Sequence, residues 1–229
     1  DGPAADGPAA DTTVDGPATD GPAADQALVD ASSTDSPVKV DASTVDTFAT
    51  DTTAAVPDAG LSTYALVITE IMPNPSAVSD GKGEWFEVHN PSKVAVNMAG
   101  WTIKDNYKDT HTIAAAGGTT IVPAGGYLVL GNNTDSKTNG GLTVGYTYGS
   151  SWYLANSNDE IMIYDDKGKL VDAVGYNTKG SWVVTSGASM ALKDVTKDNN
   201  VAANWCTEST KWTGSAGDTG SPGAKTVCK

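Results

Sequence analysis

The chain has 229 residues, with 28 acidic against 14 basic side chains, a formal charge of −14 and a pI near 4.3. It contains no arginine, the side chain best suited to bidentate recognition of phosphates and base edges, which argues against a nucleic-acid partner. No window approaches the roughly eighteen consecutive apolar residues of a membrane span. There is neither an initiating Met nor the basic and apolar regions of a signal peptide, so any export signal is expected to have been removed or to lie outside this chain.

The charge is unevenly placed. Residues 1–58 hold twelve Asp, no Glu, one Lys (Lys39) and one aromatic (Phe48), a balance of −11 that leaves −3 for the remainder. DGPAA or a near copy begins at Asp1, Asp6, Asp15 and Asp20, and an Asp register of about five residues continues through Asp51. Proline blocks helix, glycine adds backbone entropy, like charges repel, and almost nothing can be buried. This composition predicts a disordered or extended stalk over 1–60, about 180 Å long if fully polyproline-like. An acidic calcium-binding array is the less favoured reading, because the glycines and fixed ligands of known calcium repeats are missing. One folded domain is expected over 61–229.

From Tyr64 onward, short runs rich in Val, Ile, Tyr and Trp alternate with Gly, Asn, Asp and Pro. The alternation predicts strands near 64–72, 84–90, 100–105, 110–114, 118–122, 126–131, 144–148, 151–154, 159–165, 169–176, 181–184 and 188–192. Strands so spaced, without helical periodicity, indicate an all-β sandwich or barrel. Between IMIY and LVDAVGY, the stretch Asp165-Asp166-Lys167-Gly168-Lys169 reads as a hairpin loop with Gly168 left-handed.

The stretch Glu84-Trp85-Phe86-Glu87-Val88-His89-Asn90 alternates as a strand does. Phe86 and Val88 are placed in the core, Glu87 and His89 on the outward face, and Asn90 at the corner. Paired carboxylates at Glu70, Glu84 and Glu87 invite an acid–base reading. No nucleophile elbow or histidine pair accompanies them, so bonding to backbone N–H groups at strand ends is preferred. His89 and His111 read as polar surface positions.

Several motifs, in order and spacing across about 64–223, resemble the lamin tail domain in its bacterial secreted form. They are Ile68-Thr69-Glu70-Ile71 with Pro73-Asn74-Pro75, Glu84-Trp85-Phe86-Glu87-Val88 with Asn90-Pro91, and Gly100-Trp101-Thr102-Ile103. They continue in Val122-Pro123-Ala124-Gly125-Gly126-Tyr127, Asp159-Glu160-Ile161-Met162-Ile163-Tyr164, Asn204-Trp205 and Gly220-Ser221-Pro222-Gly223. The resemblance implies an immunoglobulin-like β-sandwich. It also implies an accessory module on exported or surface proteins, often beside hydrolases, and no heptad region supports a filament-forming lamin role.

Cys206 and Cys228 lack a CxxC spacing or a nearby histidine, so a disulfide is a simpler reading than zinc, with two unpaired thiols as the alternative. The cluster Tyr146, Tyr148, Trp152 and Tyr153, flanked by Gly and Ser, resembles a flat ligand-stacking platform, although covering a short hairpin is the plainer explanation. No metal or other cofactor is indicated. Asp105, Asp109, Asp159, Glu160, Asp194 and Asp198 lie in oxygen-rich loops that could take calcium, but turn chemistry accounts for them equally.

These readings combine into a non-enzymatic, extracellular or cell-surface protein. Its primary role would be a stalk-tethered binding or adhesion module for a cell-envelope polymer or surface protein. A structural subunit of a fibre or coat, pairing with itself through strand edges, is the alternative, and an accessory domain of a hydrolase system comes third.

Overall fold

The computed structural model describes residues 65–107 and 109–228; the Asp-rich stretch 1–60 lies outside them. Twelve strands follow in chain order: β1 (Val67–Met72), β2 (Trp85–His89), β3 (Val96–Asn97), β4 (Thr102–Lys104), β5 (Thr110–Thr112), β6 (Ile121–Val122), β7 (Tyr127–Gly131), β8 (Tyr146–Thr147), β9 (Asn158–Tyr164), β10 (Leu170–Asn177), β11 (Met190–Leu192) and β12 (Trp205–Thr207). One turn of helix, α1 (Asp80–Gly83), separates β1 from β2. The strands form a six-stranded sheet ordered β12-β11-β1-β2-β7-β8, a four-stranded sheet ordered β10-β9-β4-β5, and the small pair β3-β6. All pairings are antiparallel except β7 with β8. The architecture is all-β, as the alternation predicts, and of the two forms it left open it is the sandwich, immunoglobulin-like as the resemblance implies.

The core is built from alternate strand residues of both sheets. Ile68, Ile71, Phe86, Val88 and Leu130 of the larger sheet belong to one buried cluster with Ile103, Ile161, Ile163 and Val174 of the smaller. Phe86 and Val88 are thus where alternation placed them. Asn90 holds the corner after β2: its Nδ2 donates to the carbonyls of Val94 (2.8 Å) and Val122 (3.2 Å), and its Oδ1 accepts from Ser92 N. The β9–β10 hairpin turns on Gly168 at φ 72°, the left-handed conformation that a Cβ disfavours. Asp165 Oδ1 accepts from the N–H groups of Lys167 and Lys169 across that turn.

The structure departs from the expected strands at 151–154 and 181–184, neither of which is a strand. Trp152 and Leu154 are buried as irregular chain, so apolar content there reflects core burial and not pairing. Strands β3 and β12 went unforeseen because two or three residues carry too little alternation to register.

The larger departure concerns the second face of the large sheet. Trp85 and Glu87 were expected to look outward, yet Trp85 is fully buried and Glu87 is 1% exposed. Met72, Trp85, Val129 and Leu142 form a separate buried cluster, against which Trp212 packs edge-on to Trp85 with ring centroids 6.2 Å apart. The C-terminal segment, from Glu208 to Cys228, crosses this face. The sheet is therefore covered on both sides.

Candidate functional site

The site begins with a break in β1. Ile68 pairs with Val88, but the next registered pair is Glu70 with Glu87, so Thr69 is an extra residue in a bulge. A bulge puts two successive side chains on the same side of the sheet. Ile68 and Ile71 both reach the core, while Thr69 and Glu70 both turn to the face covered by the C-terminal segment. There Glu70 lies beside Glu87, two carboxyls side by side out of water.

Donors from distant parts of the chain hold this pair. Glu70 accepts three hydrogen bonds, from Ser189 Oγ (2.5 Å) and Ser221 N (2.7 Å) on Oε1 and from Ser221 Oγ (2.8 Å) on Oε2. Glu87 has Thr69 Oγ1 on Oε1 (2.9 Å) and accepts from Gly223 N on Oε2 (2.5 Å). Gly220 is required for the approach: a Cβ there would sit 2.9 Å from Glu70 Oε1 and 3.1 Å from Ser189 Oγ. A third carboxylate, Glu208, accepts on Oε1 from Thr226 Oγ1, Val227 N and Ser221 Oγ.

Their protonation follows from the surroundings. Burial pushes Glu70 up to about 7. Burial, and then the neighbouring charge of Glu70, push Glu87 up to about 9. Burial also raises Glu208, but its bonds from Thr226, Val227, Cys228 and Ser221 outweigh that and bring it below its ordinary value. At neutral pH Glu87 holds the pair's proton. Glu87 Oε1 accepts from Thr69 Oγ1 and Oε2 from Gly223 N, and these bonds lower its pKa without offsetting burial.

Above the pair opens a cavity of about 370 Å³, which Glu70, Glu87, His89 and Tyr127 line from one side and Lys193 and Lys225 from another. His89 and Tyr127 are cross-strand partners in β2 and β7, with their rings stacked at 4.4 Å between centroids and 28° between planes. His89 Nδ1 lies 3.0 Å from Gly126 O. A carbonyl only accepts, so Nδ1 carries a proton and Nε2 is the acceptor of the neutral ring. His89 is therefore half-buried and ordered, where alternation had left it on the surface. Among the described residues no Ser–His or Cys–His pair faces the cavity, and its carboxyls are already bound to the protein's own donors.

A family model for the lamin tail domain matches residues 61–178, about half of the chain. The chain belongs to the lamin tail domain family. No curated protein matches it. The fold is one that is typically non-catalytic. In this lamin tail domain the matched span supplies Glu70, Glu87, His89 and Tyr127, while Ser189, Glu208, Ser221 and Gly223, which bind the carboxyls or close the face, come from beyond it.

The aromatic platform needs correction. Tyr146, Tyr148 and Trp152 are 1%, 2% and 0% exposed, and only Tyr153, at 43%, meets solvent. Phe86 stacks on Tyr148 and meets Trp152 edge-on, so these rings fill the sandwich and cannot form a flat binding surface. Tyr146 instead orders His111, whose Nε2 lies 2.7 Å from the Tyr146 hydroxyl and whose Nδ1 lies 2.8 Å from Ser151 Oγ.

In the oxygen-rich loops the carboxylates of Asp105, Asp159, Asp194 and Asp198 are occupied by nearby backbone, whereas Glu160 Oε2 is buried without a hydrogen-bond partner. Asp105 Oδ1 accepts from the N–H groups of Tyr107 and Asp109, Asp194 Oδ1 from Thr196 N, and Asp198 Oδ1 from Asn200 N. Asp159 accepts from Ala155 N and Glu160 N. Among the described residues no group of three or more His, Cys, Asp or Glu is placed to hold a metal ion. Glu84, the third carboxylate of the acid–base reading, sits apart from the pair. Its Oε2 accepts from Leu154 N (3.0 Å), and burial pushes it up to about 7.

Cys206 and Cys228 are joined in a disulfide, with Cα atoms 6.0 Å apart. It ties the end of the C-terminal segment to β12. Among the described residues no helix is long and apolar enough to cross a membrane. The disulfide is compatible with an oxidising, extracellular location.

Sequence reasoning weighed Glu70, Glu87 and His89 but set them aside as strand-end and surface groups, and it missed Tyr127, Glu208, Ser221 and the cavity. The available signal was the stretch Gly220-Ser221-Pro222-Gly223, whose Gly220 allows close approach to a buried group.

Proposed function

We propose that this protein is a non-enzymatic, exported binding module, held off a surface by its acidic 1–60 segment, that engages a cell-envelope polymer or surface protein through the cavity at Glu87, His89 and Tyr127. The observation that carries this reading is the cavity itself. It joins a stacked ring pair to polar groups and lies within the roughly 300–1,000 Å³ of small-molecule sites. Its carboxyls anchor the C-terminal segment, which favours recognition over acid–base chemistry.

Assembly into a fibre through strand edges is less favoured. The backbone N–H of Gly175, on the edge strand β10, donates to Asn200 Oδ1 (2.9 Å), and Asp172 Oδ2 turns to Ile68 N and Asn199 Nδ2. Edge groups occupied in this way offer less to an incoming strand. The binding reading is tested by a pull-down on insoluble cell-envelope material with the full chain, using His89→Ala and Tyr127→Ala variants of verified fold. Loss of retention is expected. Retention equal to the unaltered protein would remove the cavity from the binding surface.

A further inference from the structure

The chemistry of the cavity narrows its ligand, on the footing that the protein is a binding module. The lining sets the ammonium groups of Lys193 and Lys225 against Asp194 and the two buried carboxyls of Glu70 and Glu87, so neither sign of charge is concentrated there. A charged ligand finds no net field there. The available groups mix donors with acceptors: the Tyr127 hydroxyl, the Lys225 ammonium, His89 Nε2, and Thr226 Oγ1, which gives its proton to Glu208 and is left to accept. Leu192 and Val195 add apolar wall, and the Tyr127 and His89 rings, stacked on each other, add aromatic surface. A neutral ligand with one flat C–H face and hydroxyls that both donate and accept satisfies all of these at once.

We propose that the cavity binds a neutral sugar unit of a surface polysaccharide, its pyranose face against the Tyr127–His89 pair and its hydroxyls on Lys225, Thr226 and His89 Nε2. Burial of Glu87 supports a neutral ligand, since an ionised partner for the acid would have to be desolvated with it. The C-terminal segment supplies Lys225 and Thr226, so the site is complete only when that segment is docked.

The test is titration calorimetry of the full chain with neutral tetrasaccharides of glucose, mannose, galactose and N-acetylglucosamine. Oligogalacturonate and chondroitin sulfate fragments serve as anionic arms. At least one neutral series is expected to bind saturably, with an affinity that changes less than about twofold between low and high salt. Tyr127→Ala should weaken it by about tenfold or more, and Tyr127→Phe, which keeps the ring, by less. Should Tyr127→Ala fail to fold, His89→Gln and Lys225→Ala carry the same comparison. Binding confined to the anionic arms, or neutral binding equal in all variants, overturns the inference. Retention of envelope material without binding of any neutral sugar also overturns it, yet leaves the binding-module reading standing; loss of both removes both.

Discussion

Replacing Glu87 with Gln tests the buried pair most directly. Folded Glu87 has its pKa at about 9, whereas an unperturbed glutamate lies at 4.5, because burial and then the Glu70 charge disfavour ionisation. The folded state keeps a proton that the unfolded chain releases. This contribution is therefore fully present below the unfolded value and is lost as pH rises towards about 9. One such proton changes stability by about 1.4 kcal/mol per pH unit. Between pH 6 and pH 8 the unaltered protein should lose about 2.7 kcal/mol through this group alone. Glutamine mimics the neutral acid: Oε1 can accept from Gly223 N as Glu87 does, and Nε2 can donate to the Thr69 hydroxyl once that hydroxyl rotates to accept. Glu70, Glu84 and Asp159, each raised to about 7 by burial, add pH dependence of the same sign, but they are present in both proteins and largely cancel in the comparison. Urea unfolding of both proteins at pH 6, 7 and 8 provides the measurement. The stability difference should move by roughly 2–3 kcal/mol in favour of Glu87→Gln across that range. Parallel stability curves would mean that Glu87 is ionised in the fold, and the assignment of the proton would be wrong.

Two further outcomes test the packing. Trp152→Ala should cost about 3–5 kcal/mol of unfolding free energy, because it empties a fully buried site, while leaving ligand retention intact at temperatures where the variant is folded. Unchanged stability with lost binding would restore the surface-platform reading. Replacing Cys206 and Cys228 together with Ser should cost about 3 kcal/mol by loop entropy and lower the melting midpoint by about 6–12 °C. A calorimetric midpoint within error of the unaltered protein would show that the C-terminal segment is held by its hydrogen bonds alone.

The carboxyl cluster also explains why an acidic reading of the domain misleads. Glu70 and Glu87 resemble catalytic residues in kind and spacing, but Ser189, Ser221 and Gly223 occupy their oxygens. Glutamates here act as adhesive, each collecting N–H and O–H groups that the irregular C-terminal segment would otherwise bury unpaired. Loss of any one donor leaves a desolvated carboxyl, which costs more than the bond itself.

Sequence alone determined the all-β class, because alternation with period two places Phe86 and Val88 inside wherever a strand packs on a second layer, and the family resemblance chose the sandwich over the barrel. It also determined the Gly168 turn and the Asn90 corner, since both depend on residues a few positions apart. The opposite face was decided only by tertiary structure. Alternation reports that Glu87 lies away from the core, but not whether water or another part of the chain covers that side. Here Gly223, 136 residues away, donates to it. The Thr69 bulge compounds this, since the pairing of Glu70 with Glu87 depends on a register slip that no local pattern reveals. The aromatic residues at 146–152 failed for the same reason: composition shows that rings are present, and only packing decides whether they face solvent or each other. Local chemistry is written in neighbouring residues, whereas burial of a second face depends on loop closure over the whole domain.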